Sequence, residues 1–175
     1  VGMRTAYPLQ GGNIERETMP MAEEARAAEE LQLVVFSLGR EEFAVEVTQV
    51  REIMRMEEIT RMPKSPHFVE GIINLRGQII AVIDLAKRLN IEAQERGGET
   101  RIIVVEAGEV KVGMIVDSVS EVLRVGADAL EPSPTIATDV AAAFLTGVIK
   151  HDNRLIILLD LTKVLSLEEM AGLGF

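Results

Sequence analysis

Two stretches decide the fold: "FVEGIINLRGQIIAVIDLAKRL" at residues 68–89 and "FLTGVIKHDNRLIILLDLTKVL" at residues 144–165. They overlay without a gap at a shift of 76 residues. Phe68 falls on Phe144, Gly71 on Gly147, Asp84 on Asp160, Leu85 on Leu161, Lys87 on Lys163 and Leu89 on Leu165. The segments before them repeat too, at a shift of 69: "LGREEFAVEVTQVREIMRM" lies over "AGEVKVGMIVDSVSEVLRV". There Gly39 meets Gly108, Val50 meets Val119, Glu52 meets Glu121 and Arg55 meets Arg124. Two collinear shifts define an internal duplication, which has to be read before any motif is interpreted.

Each half carries about five short β-rich runs and one brief helical segment. "LQLVVFSL", "FAVEV", "GIINL", "IIAVI", "RIIVVE" and "VKVGMIV" are strand-length and bounded by turn residues. The long crossover helices of a parallel α/β sheet are missing. A five-stranded open unit of this size leaves edges and one face unsatisfied, whereas curling into a barrel removes edges and gathers one face into a core. The expected fold class is therefore all-β: two packed, five-stranded small β-barrels of the SH3 or OB kind, with short helices. The expected halves are about 31–92 and 98–170, with exchange of strands between them left open. Residues 1–30 read as a flexible tail or extension and 171–175 as a C-terminal tail. The chain starts on valine, so Met19 or Met21 is the expected biological start.

Several strands are apolar on both faces. Alternation puts Ile79, Ala81 and Ile83 on one face and Ile80 and Val82 on the other, and Leu155 to Leu159 offer no polar face. The second face either forms the seam between halves or docks another protein.

Composition excludes several functions. The 175-residue chain holds 18 basic and 28 acidic residues, a net charge of -10, with one tyrosine and no tryptophan. Nucleic-acid binding needs a basic field and stacking rings, so it is disfavoured. Without cysteine there are no disulfides, thiol nucleophiles or thiolate metal sites. No apolar run reaches the ~20 residues that span a bilayer, and a cytoplasmic protein without direct membrane insertion is expected. His67 and His151 lack metal-ligand spacing, and neither phosphate loops nor a GxSxG elbow are present around Ser118 or Ser120. No catalytic, cofactor or metal residue is assigned.

Asp84 and Asp160, at matched positions, read as helix caps; a carboxylate pair at one cavity is the competing reading. Asp117 either anchors a turn or is solvated. Met54, Met56 and Met62 are core or adaptable contact surface. Arg76 faces Asp152 in the overlay, so this turn has diverged. It is either solvated or a guanidinium fork for a partner. Asn74 either locks the same turn or lies exposed on a strand.

"LVVFSLGREEFAVEVTQVREIMR", "FVEGIINLRGQIIAVIDL", "VGMIVDSVSEVLRV" and the 144–165 stretch, in this order, resemble the CheW family of bacterial chemotaxis coupling proteins. The resemblance runs from about Leu31 to Met170. It implies a non-enzymatic adaptor without cofactors that couples methyl-accepting chemoreceptors to the histidine kinase CheA. The implied partners are the chemoreceptor cytoplasmic tip and the CheA regulatory domain, with the isolated protein a monomer recruited to membrane-associated arrays. Carried over by motif, the receptor-facing residues are Val50, Glu52, Gly71, Asn74 and Arg76. The kinase-facing segments hold Leu38, Gly39, Glu41 and Phe43, and Gly113, Met114 and Val116. An excised CheW-like regulatory domain of a CheA or CheV protein, and an OB-like nucleic-acid module, are the alternatives.

Overall fold

A computed structural model describes residues 29–131 and 142–166; the expected tails lie almost wholly outside them. The first repeat contributes β1 (Glu30–Leu38), β2 (Glu41–Glu46), β3 (Val50–Arg55), β4 (Val69–Leu75), β5 (Gln78–Asp84) and α1 (Leu85–Leu89). The second contributes β6 (Arg101–Ala107), β7 (Val110–Val116), β8 (Ser118–Gly126), β9 (Leu130–Glu131), β10 (Leu145–His151), β11 (Arg154–Leu159) and α2 (Leu161–Val164).

The sheets do not follow the repeats. One runs β8-β1-β2-β11-β10-β9 and the other β3-β6-β7-β5-β4. In each, the first hairpin of one repeat is flanked by the third strand and last hairpin of the other. The joints are two parallel pairings, β2 on β11 (Phe43↔Ile157) and β5 on β7 (Ile83↔Met114).

The expected pair of closed barrels is corrected here: the fold is two mixed β-sheets, and neither closes. A barrel closes only where its edges can form a ladder. Between the β3 and β4 sides of one sheet, a single isolated bridge forms, Thr60 with Ile72. Its two hydrogen bonds are 2.9 and 2.8 Å. Both β3 and β4 carry register shifts, at Val50/Glu52 and Val69/Gly71, which bend the edges out of further pairing. In the other sheet the end strands β8 and β9 are joined by the turn Ala127–Ala129 rather than by a ladder.

What replaces closure is packing on both faces. Phe36, Phe43 and Ile157 of one sheet share a core with Ile83, Ile103 and Met114 of the other. Ile80, Val82, Ile102 and Val104 gather on the opposite face of the second sheet, and Leu33, Val35, Ile156 and Leu158 on that of the first. Each such side chain contributes ~1.5–3 kcal/mol on burial. The doubly apolar strands are thus satisfied mainly inside the molecule. Four large apolar side chains stay exposed among the described residues: Ile53, Ile79, Val122 and Leu155.

The two helices begin on aspartates. Asp84 Oδ1 accepts the Lys87 N–H at 3.2 Å, and Asp160 Oδ1 accepts the Thr162 N–H at 3.0 Å. Asp84 Oδ2 also takes a 2.9 Å bond from Arg96, which with Lys87 binds Glu70. The two capping aspartates therefore serve separate helices, against the reading of a shared catalytic pair.

Arg88 holds the helix ends of both repeats together. Its guanidinium carbon lies 4.9 Å from the Phe68 ring centroid and 4.7 Å from that of Phe144, the repeat-equivalent ring. Its Nε donates to the Val164 carbonyl at 2.8 Å, at the C-terminal, negative end of α2. The equivalent of Arg88 is Val164 itself, fully buried, so one cation fills a place the duplication could not fill twice.

Arg88→Ala is expected to lower unfolding free energy by about 1–3 kcal/mol, measured by urea denaturation. Arg88→Lys should recover only part, because the planar stack is lost. Burial opposes the charge of Glu70, but the Lys87 hydrogen bond and the Arg96 charge outweigh it and hold its pKa below the ordinary 4.5. A lowered folded-state pKa stabilises above the unfolded pKa, and that contribution disappears as pH falls through the folded value. Glu70→Gln should therefore cost stability at pH 7 and lose less than the parent on acidification, read from melting temperature against pH.

Candidate functional site

The β4–β5 hairpin turns through two residues, Arg76 (φ 50°) and Gly77 (φ 85°). Two successive positive φ values make a type I′ turn, whose twist matches the flanking strands. Arginine is an uncommon occupant of such a position, and Asn74 steadies it: its Oδ1 accepts the Gly77 N–H at 2.8 Å. Asn74 thus locks the turn from an exposed strand position, joining the two roles the sequence left open.

From this turn Arg76 reaches Glu52 on β3. Its NH1 and NH2 both donate to Glu52 Oε1, at 2.8 and 2.7 Å. β3 and β4 are opposite ends of the sheet order, so the contact exists because the sheet curls until its edges approach. The Arg76 side chain is 69% exposed and that of Glu52 29%. In water such a pair contributes at most ~1 kcal/mol to stability. It holds a guanidinium in place on the surface without burying it.

Gly71 sets the same edge from beneath. At φ 152° it lies where side chains are disfavoured, and a Cβ there would stand 2.0 Å from the Thr60 carbonyl oxygen. The close approach of the Thr60 strand to β4 thus requires glycine. Val50 is half-buried at the start of β3, packed against the shared core. Glu52, Asn74 and Arg76 therefore meet at one surface, while Val50 and Gly71 shape the frame beneath.

The duplication does not make this site twice. Glu121, the equivalent of Glu52, is bound by Arg154 at 2.8 Å, and Arg154 also holds Glu42 at 2.6 Å. The hydrogen bonds that Arg154 donates to Glu42 and then to Glu121 raise its pKa above its ordinary value. At the matching turn stand Asp152 (φ 48°) and Asn153 (φ 64°). Both glutamates are paired within their own sheets, Glu121 by the 31% exposed Arg154 and Glu52 by the more exposed Arg76.

The segments named for a kinase are arranged differently. Leu38, Phe43, Met114 and Val116 are at most 1% exposed in the shared core, and Gly113 is buried on β7. β2 and β7 lie inside their sheets, so neither offers an edge. What these segments present outward is the Gly39–Glu41 turn. Asp117, which the sequence left between two roles, anchors it: Oδ2 accepts the N–H of Gly39 at 2.7 Å and of Gln94 at 3.0 Å. Among the described residues no group of histidines, aspartates or glutamates is placed to hold a metal ion.

Sequence reasoning missed the Arg154 bridge and the Arg88 clasp. The overlay carried a signal for the second, a charged residue opposite an apolar one at position 164.

Residues 32–169 match the model of a family described as the CheW-like domain. The chain is 37% identical over 140 residues to the chemotaxis protein CheW of Klebsiella aerogenes, covering 80% of this chain and 84% of that one. It is 39% identical over 141 residues to the CheW of Thermotoga maritima, covering 81% and 91%. Among solved structures, the scaffolding protein TtCheW of Thermoanaerobacter tengcongensis superposes with a TM-score of 0.75 at 39% identity, covering 81% of this chain and 96% of that one.

Gly71→Ala is expected to destabilise the protein by about 1–3 kcal/mol and to open the edge between Thr60 and Ile72. Faster amide exchange at both residues than in β6 and β7 would register it.

Proposed function

The chain belongs to the CheW family, and from that premise we propose that it links the cytoplasmic tip of chemoreceptors to the regulatory domain of CheA. It is a non-enzymatic scaffold: its work is to hold surfaces, and its rigid double sheet suits that. Among the described residues no helix is long and apolar enough to cross a membrane, so placement at a receptor array would come through protein contacts.

The observation that carries the receptor assignment is the Arg76–Glu52 pair. A guanidinium fixed on a strained turn, exposed and paired to one carboxylate oxygen, can add a charge-assisted hydrogen bond to an incoming helix without first being desolvated. Glu52 aligns it, Asn74 fixes the turn and Gly71 sets the edge against which a helical receptor tip would lie. At the rim of such a contact, Arg76 would act on association rate, register and salt dependence more than on buried affinity. For CheA, the Gly39–Glu41 turn is the proposed contact within its segment. The buried side chains around it hold that turn's shape.

Arg76→Ala should leave unfolding free energy within about 1 kcal/mol of the parent and weaken binding to a receptor-tip bundle, with a shallower salt dependence. Reconstitution of receptor-dependent kinase control, with and without the chain, checks the whole assignment. Normal control by a folded R76A variant would remove Arg76 from it, and failure of the parent chain to bind either partner would remove the scaffold.

A further inference from the structure

We propose that the groove beside the Met62–Ser65 turn is a docking site for an extended acidic peptide of a partner protein, separate from the Arg76 surface. The groove lies at the far end of β4 from Arg76, some 20 Å along a seven-residue strand. Its volume is about 530 Å³, within the usual range of ligand-sized clefts. Arg61, Lys64 and His67 line it together with the apolar Met62, Pro66 and Val69.

Two features bear on the occupant: charge, which points to an anion, and the backbone, which fixes one of the cations. The first is charge. In a chain of net charge -10, Arg61 and Lys64 are exposed and make no hydrogen bond or ion pair to a described residue. The acid that lines the groove, Glu70, is already engaged by Lys87 at 3.0 Å and Arg96 at 3.4 Å, so it does not neutralise them. The second is backbone strain. Pro63 is followed by Lys64 at φ 63°, while Ser65 Oγ bonds back to the Met62 carbonyl at 2.7 Å. Proline before a left-handed residue is the pattern of a type II turn, where glycine is the inexpensive choice. A lysine there, in place of glycine, is held at a cost to the fold and lines the groove.

Peptide chemistry fits the lining. Cations interleaved with proline and aliphatic surface suit a strand-like segment that alternates carboxylates with small apolar residues, giving each a complement. A compact anion would use the charges and leave the apolar walls bare.

The probe is a fluorescein-labelled peptide of about ten residues alternating glutamate and proline, which is extended before it binds. Fluorescence anisotropy with the full chain should show saturable binding that weakens with added salt. Arg61→Glu should weaken it about tenfold, and Arg124→Glu, exposed on β8 of the other sheet, should leave it unchanged. Lys64→Gly gives the sharpest reading. It relieves the positive φ, so the melting temperature should hold or rise while peptide affinity falls about tenfold. Unchanged affinity in Lys64→Gly, an equal loss in Arg124→Glu, or no saturable binding overturns the proposal. Binding to phosphatidylserine vesicles but not to the peptide would make the groove a membrane contact. Peptide binding only after removal of residues 1–28 would make the chain's own N-terminal segment the occupant. Either result refutes a partner peptide.

Discussion

Two parallel strand pairings make one molecule out of two repeats. β2 on β11 and β5 on β7 insert the first hairpin of each repeat between strands of the other. From that exchange follows the shared core, because Phe43 and Ile157 reach it on one sheet as Ile83 and Met114 do on the other. The absence of closure follows too. Strands that pack on both faces have no need to seal into a cylinder, and the edges meet through a single bridge and an ion pair. The same curl delivers Arg76 to Glu52 across a sheet in which their strands lie at opposite ends.

Symmetry in the scaffold and asymmetry at the surface have different physical origins. Core positions are constrained from both sides, so apolar residues recur in register across the repeats. Charged positions are constrained only by whatever is within reach. Glu121 has Arg154 reaching across the sheet from the start of β11, which Glu42 also holds, while Glu52 has only the cation that the β4–β5 turn supplies. The duplication therefore yields one site whose charge points outward and one whose charge is absorbed. Arg88, clasping Phe68 and Phe144, shows the same logic inside: near the centre of a pseudo-symmetric pair there is room for one side chain.

Much of this could be read from the sequence, and the failures have definite causes. The strands, the capping aspartates and the family were legible because they depend on local pattern: alternation, Asp before "LAKRL" and "LTKVL", and four motifs in order. The turn at Arg76-Gly77 was legible in place, while its pairing to Glu52 was not, since that contact depends on curl. The barrels failed because the argument from edges assumed that a curled sheet would seal, and the edges meet in only one bridge. Nothing in "GIINL" or "RLIILL" says which repeat supplies the neighbouring strand. Leu38, Phe43, Met114 and Val116 show the complementary limit: a motif identifies a segment, and only the packing tells which of its side chains face out.

The exchanged hairpins carry an implication for how such a chain arises. A solitary repeat of this design holds a hairpin with no bordering strands and bordering strands with no hairpin. Its natural partner is a second copy of itself, trading hairpins in a two-fold dimer. Joining two such genes in tandem would preserve every strand neighbour while freeing each copy to drift. An obligate homodimer would have to display an outward-facing arginine on both sides, whereas the tandem chain carries Arg76 opposite Asp152.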